Sequence, residues 1–408
     1  MSILSRLNYR NKKYLFILLI VVLLIELSTL VISSLTPNKI ISKDQNKLEA
    51  YADKVMTNCA SASQRPSCYD KEIPRLMDYI SMEDAFRVTK FVQQKDPNTY
   101  EYCHVLGHNL SARETKKDPD RWKEIIPRCP SGMCSNGCIH GAFQERFRTD
   151  VLSEEQLEKL KPELSYVCEP RANWKPTGME QATCYHALGH LLMYITNADS
   201  DKATKICEEI TAKNKDENLL RVCYDGAFMQ IFQPLEPEDF ALIKGKQPQK
   251  EQLASFCGAF DEKRKGACWV EGWPLYFEEI ITSKGLTKFC YFLKDPYQRK
   301  RCFSGLFYVI TAQFHFDLDR IKDVCVGLPK EWIGQCFANA ASRIIETDKQ
   351  LINKSIDVCQ LADTFGVGEE CYNELLIFST FNFHKGSAEF TQLCNSLPDS
   401  WKDKCFKR

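Results

Sequence analysis

The chain has 408 residues, with 54 basic and 54 acidic side chains and a formal net charge of zero. That length can supply one large core or two or three domains. The balanced charge excludes the strongly basic surface that nucleic-acid-binding proteins carry, so no nucleic acid is expected among the partners.

The first 35 residues have the pattern of a single-pass signal anchor. Basic side chains lie in the region 1–13, and residues 14–35 are almost entirely apolar, which is long enough to span a bilayer. The basic flank predicts that region 1–13 stays in the cytoplasm and that everything after the transmembrane helix is exported. A cleaved signal peptide is the alternative, because Val31-Ile32-Ser33 is an acceptable cleavage site. The length of the apolar run favours an uncleaved anchor.

All 20 cysteines follow this segment and a polar stretch at 36–47, which predicts a short stalk. An even number of cysteines on the exported side predicts disulfide bonds. The sequence therefore places the bulk of the chain outside the cytoplasm, in a periplasmic, extracellular or lumenal compartment.

From the stalk onward the cysteines recur with the period of a helical repeat. Cysteines followed by an aromatic or apolar residue occur at Cys268, Cys302, Cys336, Cys371 and Cys405, at intervals of 34, 34, 35 and 34 residues. Nine cysteines of this kind have a companion 9 to 16 residues upstream. The predicted local pairs are Cys59–Cys68, Cys129–Cys138, Cys168–Cys184, Cys207–Cys223, Cys257–Cys268, Cys290–Cys302, Cys325–Cys336, Cys359–Cys371 and Cys394–Cys405; Cys103 and Cys134 remain and are predicted to pair with each other.

Each repeat unit has the pattern of a helical hairpin. Apolar residues at helical spacing fill the segment 317–328, Pro329 interrupts it, and a second helical run follows through residue 344. Segments 348–378 and 387–405 have the same layout. A disulfide then joins the two helices of each hairpin, contributing about 3 kcal/mol by closing a short loop. Because one hairpin cannot bury its own apolar face, we predict an all-α, right-handed α-solenoid of about ten stapled hairpins.

The period near 34 resembles that of tetratricopeptide repeats, and one disulfide per hairpin resembles the cysteine-rich Sel1-like repeat proteins. The resemblance covers the architecture of nearly the whole exported chain. It implies no particular activity, since the Gly/Tyr/Ala consensus of Sel1-like units is not evident. We divide the predicted solenoid into a histidine-bearing part at 48–250 and a second part at 251–408.

Five of the seven histidines lie in three related segments. Residues 102–108 read YCHVLGH, residues 184–190 read CYHALGH, and residues 138–141 read CIHG. Histidines four residues apart project from one face of a helix. Aligned on the repeat, these side chains fall at matching positions on three adjacent second helices, so they are predicted to converge on one surface patch. They are His104, His108, His140, His186 and His190.

Such a cluster is typical of a transition-metal site. Imidazole nitrogens suit Zn, Cu or Fe, and thiolate ligands are excluded if every cysteine forms a disulfide. If the chain is a metal-dependent enzyme, the nearest candidate proton acceptors are Glu145, Glu180 and Asp225. Metal capture or redox handling is equally compatible with the pattern. No His-Glu-x-x-His, Gly-x-Ser-x-Gly or phosphate-loop motif is present.

The alternative is a binding scaffold without enzymatic activity. In that case the solenoid groove takes a protein, peptide or glycan partner, and the histidines are packing or pH-sensing groups. A strip of aromatic residues in the second part would be core or, alternatively, an apolar groove; it contains Phe303, Phe307, Phe314 and Phe316. The isolated residues His315 and His384 are expected to be ordinary core histidines.

Overall fold

The structure is a computed structural model that describes residues 43–408, apart from positions 101, 148, 149, 215 and 236. These residues form helices and loops; no β-strand occurs among them, and one isolated antiparallel bridge joins Arg171 to Trp174. The all-α prediction is confirmed. The predicted transmembrane helix at 14–35 lies outside the described residues, and none of the helices within them combines the length and hydropathy that crossing a bilayer requires.

The α-helices of the described residues follow one another in this order: α1 (Lys43–Cys59), α2 (Arg65–Arg75), α3 (Met82–Lys95), α4 (Cys103–Thr115), α5 (Trp122–Ile125), α6 (Gly137–Phe147), α7 (Glu154–Val167), α8 (Gly178–Ile195), α9 (Ser200–Thr211), α10 (Glu217–Phe232), α11 (Pro237–Ile243), α12 (Leu253–Gly258), α13 (Glu262–Glu271), α14 (Phe277–Ile280), α15 (Ser283–Cys290), α16 (Pro296–Gln313), α17 (Leu318–Val326), α18 (Lys330–Thr347), α19 (Ile352–Asp363), α20 (Gly368–Asn382), α21 (Ala388–Ser396) and α22 (Asp399–Lys407). Single 3₁₀ turns lie at Leu76–Asp78, Pro97–Tyr100, Pro119–Arg121, Ile126–Arg128, Cys134–Asn136, Lys250–Gln252, Trp273–Tyr276 and Lys349–Leu351.

Residues 43–47, which the sequence assigns to the stalk, are already helical in α1. The segment is polar, but Lys and Gln are good helix formers and Asp44 lies in the first turn, where an acidic side chain stabilises a helix. The stalk prediction is therefore wrong for these five residues.

The helical hairpins form where the sequence predicts them. The side chain of Asp317 caps α17 by accepting from the backbone N–H groups of Asp319 and Arg320, and Pro329 separates α17 from α18. Helices α19 and α20 occupy the segment predicted at 348–378, and α21 and α22 the segment at 387–405. The repeat of disulfide-linked helix pairs is confirmed.

Every predicted disulfide is formed, and no free cysteine remains. Nine bonds are local, with separations of 9 to 16 residues. The tenth joins Cys103 at the start of α4 to Cys134 just before α6. Ten disulfides indicate an oxidising, extracytoplasmic environment.

The aromatic residues that recur with the repeat form the core. Phe303 and Phe307 are fully buried, and Phe314 and Phe316 are buried as well. All four side chains are buried, so the core interpretation of this strip is confirmed.

Contacts between distant hairpins position the histidine-bearing helices. Residues 52–408 form one compact unit. Within it, Gly178 at the start of α8 lies against the ring of Phe381 in α20. The backbone N–H of Lys349 donates to the carbonyl of Gly132, at 3.3 Å. The late hairpins therefore pack directly on the early ones.

Removing the Cys103–Cys134 bond by a double alanine substitution should destabilise the protein by about 4 kcal/mol, since the bond closes a loop of 31 residues. Chemical denaturation of the purified protein measures this. The matched control is Cys59→Ala/Cys68→Ala, which opens a loop of 9 residues and should cost about 2.5 kcal/mol. Non-reducing peptide mapping that found free thiols at Cys134 and Cys138 would contradict the pairing.

Candidate metal centre

The structure brings the five clustered histidines together from three helices. His104 and His108 project from α4, His140 from α6, and His186 and His190 from α8. The His140 ring centroid lies 5.0 and 5.2 Å from the rings of the first pair and 5.4 and 5.5 Å from those of the second. His140 therefore occupies the middle of the cluster.

The cluster is not the surface patch that the sequence suggests. His108 and His140 are each only 7% exposed, and the other three rings are partly covered. Side chains of neighbouring helices and loops close over them, among them Phe143, Met229 and Leu235. The prediction of surface exposure is wrong because α10 and the segment after it pack across this face of α8.

Within each pair the two rings face each other through Nε2. The Nε2 atoms of His104 and His108 are 3.1 Å apart, and those of His186 and His190 are 3.2 Å apart. Two nitrogens bound to one ion at about 2.0–2.1 Å lie roughly 2.9–3.4 Å apart for bond angles between 90° and 109°. Both pairs have the separation of two ligands of one metal ion.

His140 completes a three-ligand set with the first pair. Its donor nitrogen and those of His104 and His108 all lie within 4.8 Å of one another. The Nε2 atom of His140 is buried and has no hydrogen-bond partner. A buried ring nitrogen without a partner loses free energy unless something binds it, and a metal ion would do so.

Glycines allow the helix backbones to approach closely enough for this geometry. A β-carbon at Gly141 of α6 would lie 2.2 Å from the carbonyl oxygen of His108 in α4. A β-carbon at Gly189 of α8 would lie 2.1 Å from the carbonyl oxygen of Cys223 in α10. Real side chains cannot occupy either position, so the α4–α6 and α8–α10 contacts both require glycine.

A buried carboxylate anchors the hydrogen bonds behind the rings. Asp239 is 3% exposed and accepts from the hydroxyl of Tyr194. It also accepts from Gln230 Nε2 at 2.8 Å and from the backbone N–H of Leu235 at 2.9 Å. An ionised carboxylate only accepts, so Asp239 fixes the direction of each of these bonds.

Two glutamines link these hydrogen bonds to the histidines and fix which ring atom donates. Gln230 donates its amide to Asp239, so its Oε1 atom, 2.7 Å from His190 Nδ1, must accept. Gln144 donates to the Tyr194 hydroxyl at 3.1 Å, so its Oε1, 3.2 Å from Nδ1 of His108, accepts as well. Both histidines therefore carry a proton on Nδ1, which leaves Nε2 with a free lone pair aimed at the ring it faces.

The surroundings keep the imidazoles neutral. Burial lowers the pKa of His104 to about 4, and the guanidinium of Arg343 acts in the same direction. Burial also lowers the pKa of His190, although Gln230 and Asp239 oppose the shift. Burial and the neighbouring imidazoles hold the pKa values of the other three rings well below their ordinary value. Neutral imidazoles are the form that binds metals.

A narrow cavity adjoins the rings. It measures about 20 Å³, room for little more than one water molecule. Four of the histidines line it together with Tyr194, Gln144, Gln230 and Asp239. This cavity has room for a small inorganic ligand but not for an organic substrate.

The predicted proton acceptors do not line this cavity. Glu180 closes a capping box at the start of α8, where it accepts from the backbone N–H of Thr177 at 2.7 Å. Asp225 pairs with Arg221 at 2.7 Å. Glu145 lies half-buried on α6, outside the cavity wall. The carboxylate that does line it, Asp239, was not predicted.

The two isolated histidines are exposed and not in the core. His384 is 54% exposed, with its Nε2 atom 4.0 Å from Glu180. His315 lies at the exposed end of α16 with a positive φ of 54°. The core prediction for these two residues is wrong because each lies in a loop that follows the last turn of a helix.

Some of the supporting residues have a signal in the sequence. Residues 141–144 read GAFQ and residues 226–230 read GAFMQ, each beginning three residues after a repeat cysteine. Tyr194 follows His190 by four residues, on the same face of α8. Asp239 has no such signal, since it comes from α11 and reaches the site only through tertiary packing.

Comparison of the chain with protein-family models, with curated proteins and with solved structures finds no match.

Replacing Gly189 by alanine should destabilise the protein by about 3 kcal/mol, because the new methyl group forces α8 and α10 apart. Thermal or chemical denaturation measures the change. The control is Gly258→Ala, where no atom lies within 4 Å of the added carbon and stability should stay the same or rise slightly. Equal stability of the two variants would contradict the close helix contact.

Proposed function

We propose that this chain is an exported, membrane-anchored helical-repeat protein whose five clustered histidines bind a transition metal, namely zinc, copper or iron. The observation that carries the proposal is the pairing of the ring nitrogens. In each i, i+4 pair the Nε2 atoms face each other at 3.1–3.2 Å, while glutamines hold Nδ1 of the second histidine. The hydrogen bonds to the glutamines leave a lone pair on Nε2 of His108 and of His190, and a cation placed between the facing nitrogens would bind it.

The donor set limits the choice of metal. All five ligands are neutral imidazoles, and no thiolate is available among the described cysteines because each one forms a disulfide. Imidazole suits zinc, copper, iron and nickel, whereas magnesium, calcium and manganese prefer carboxylate oxygens. The hydrogen-bonded glutamines orient the rings in the manner of outer-shell partners in known metal sites.

The chemistry that such an ion supplies is Lewis-acid activation or electron transfer. Tyr194 and Asp239 at the cavity wall can hold or accept a proton close to a bound water, through the bond that the hydroxyl already makes to the carboxylate. These two residues replace the carboxylates expected from the sequence.

The cellular location of the chain and its repeat architecture form part of the proposal. Ten disulfides favour an oxidising compartment, and the basic-then-apolar segment at 1–35 favours a signal anchor. The disulfide-linked hairpins pack in sequence order, which favours a right-handed solenoid. In this solenoid the contact between Gly178 and Phe381 brings late repeats against early ones.

The metal content of the full-length protein, purified without a histidine tag, tests the proposal. At least one equivalent of zinc, copper or iron should remain bound after desalting. The variant His104→Ala/His108→Ala/His140→Ala should bind less metal than the unaltered protein, whereas the control His315→Ala/His384→Ala should bind the same amount. Less than about 0.2 equivalents in the unaltered protein, even after reconstitution with each metal, would exclude the site.

The glutamines give a second test. Gln144→Met and Gln230→Met keep the side-chain volume but remove the acceptor for Nδ1, so each should weaken metal binding about 10- to 100-fold. Competition with a chelator of known affinity measures the change. Gln94→Met on the exposed face of α3 is the control and should leave the affinity as it is. Unchanged affinity in both test variants would show that the amides do not orient the ligands.

A further inference from the structure

We propose that the cluster is a dinuclear centre. One ion is held by His104, His108 and His140, and a second by His186 and His190. The inference rests on the proposed function, because it concerns the number and placement of the ions in that same site.

The two halves of the site are built alike. Helix α4 packs on α6 and α8 packs on α10, each through a glycine that admits a backbone carbonyl of the other helix. Each half contains one histidine pair, with facing Nε2 atoms, and one glutamine from the partner helix that accepts from the second histidine. Each half therefore has its own two-ligand geometry.

One ion cannot use all five rings in this arrangement. Among the described residues, the set of three or more candidate ligands whose donor atoms lie within 4.8 Å of one another is His104, His108 and His140. The pair on α8 is outside this set, although its own nitrogens are 3.2 Å apart. A second ion accounts for that pair.

His140 places the two ions beside each other. Its ring is stacked on His186, at an interplanar angle of 16°, and lies edge-on to His104 and His108. The first ion takes the Nε2 atom that is buried and lacks a partner. The second lies with His186 and His190, on the side of the His140 ring that is stacked on His186.

The cavity determines what else the centre can bind. The second ion has two protein ligands and needs further ones, and the cavity of about 20 Å³ beside His190 supplies space for a ligand of the size of water, hydroxide or dioxygen. Asp239 lies on the cavity wall and offsets part of the positive charge that two buried cations bring. We therefore assign the exchangeable position to a ligand of one or two heavy atoms.

Titration of the metal-free, full-length protein with Cu(II) tests the number of ions. Binding should saturate at two equivalents, and the electron paramagnetic resonance signal of the fully loaded protein should be weaker than that of two isolated Cu(II) ions because neighbouring spins couple. His186→Ala/His190→Ala should bind one equivalent and show an uncoupled signal. His315→Ala/His384→Ala should behave like the unaltered protein.

The titration of the unaltered protein decides the question even if a variant fails to fold. Saturation at one equivalent with an uncoupled signal would overturn the dinuclear centre and leave the proposed function intact. Loss of all copper in the variant His186→Ala/His190→Ala, with its circular dichroism spectrum unchanged, would also overturn it. Absence of bound copper, zinc and iron from the unaltered protein would remove the proposed function itself.

Discussion

Close backbone contact between helices is the constraint on which this site depends. Gly141 and Gly189 allow α4 to approach α6 and α8 to approach α10 to distances that no side chain permits. At that spacing, histidines one turn apart on one helix meet the side chains of the next helix instead of solvent. Local disulfides hold α6, α8 and α10 to the segments that precede them, and the Cys103–Cys134 bond ties the start of α4 to the turn before α6. Covalent bonds therefore support the helix spacing that packing sets.

The second feature that determines the geometry of the site is a single buried carboxylate. Asp239 accepts hydrogen bonds from Tyr194 and Gln230. Because it cannot donate, it fixes which atom donates and which accepts in the hydrogen bonds that lead to His108 and His190. An aspartate on α11 thereby fixes the tautomers of histidines on α4 and α8. Burial keeps the same rings neutral.

The late hairpins contribute to the site although they contain none of its histidines. Arg343 in α18 lies near enough to His104 to lower its pKa, and Gly178 at the start of α8 is covered by Phe381 of α20. The repeats are therefore not equivalent units. Its second part supports the position and the electrostatics of its first part.

The sequence by itself determined the helical hairpins, the ten cysteine pairs and the matching register of the five histidines. All of these follow from local spacing: cysteines close short loops, apolar residues recur at helical intervals, and a repeated unit places equivalent residues at equivalent sites. Only the tertiary structure decided that the cluster is buried, that Glu145, Glu180 and Asp225 lie outside its cavity, and that Asp239 lies within it. Those outcomes depend on which distant segments pack across the face of α8, and packing between segments leaves no period in the sequence.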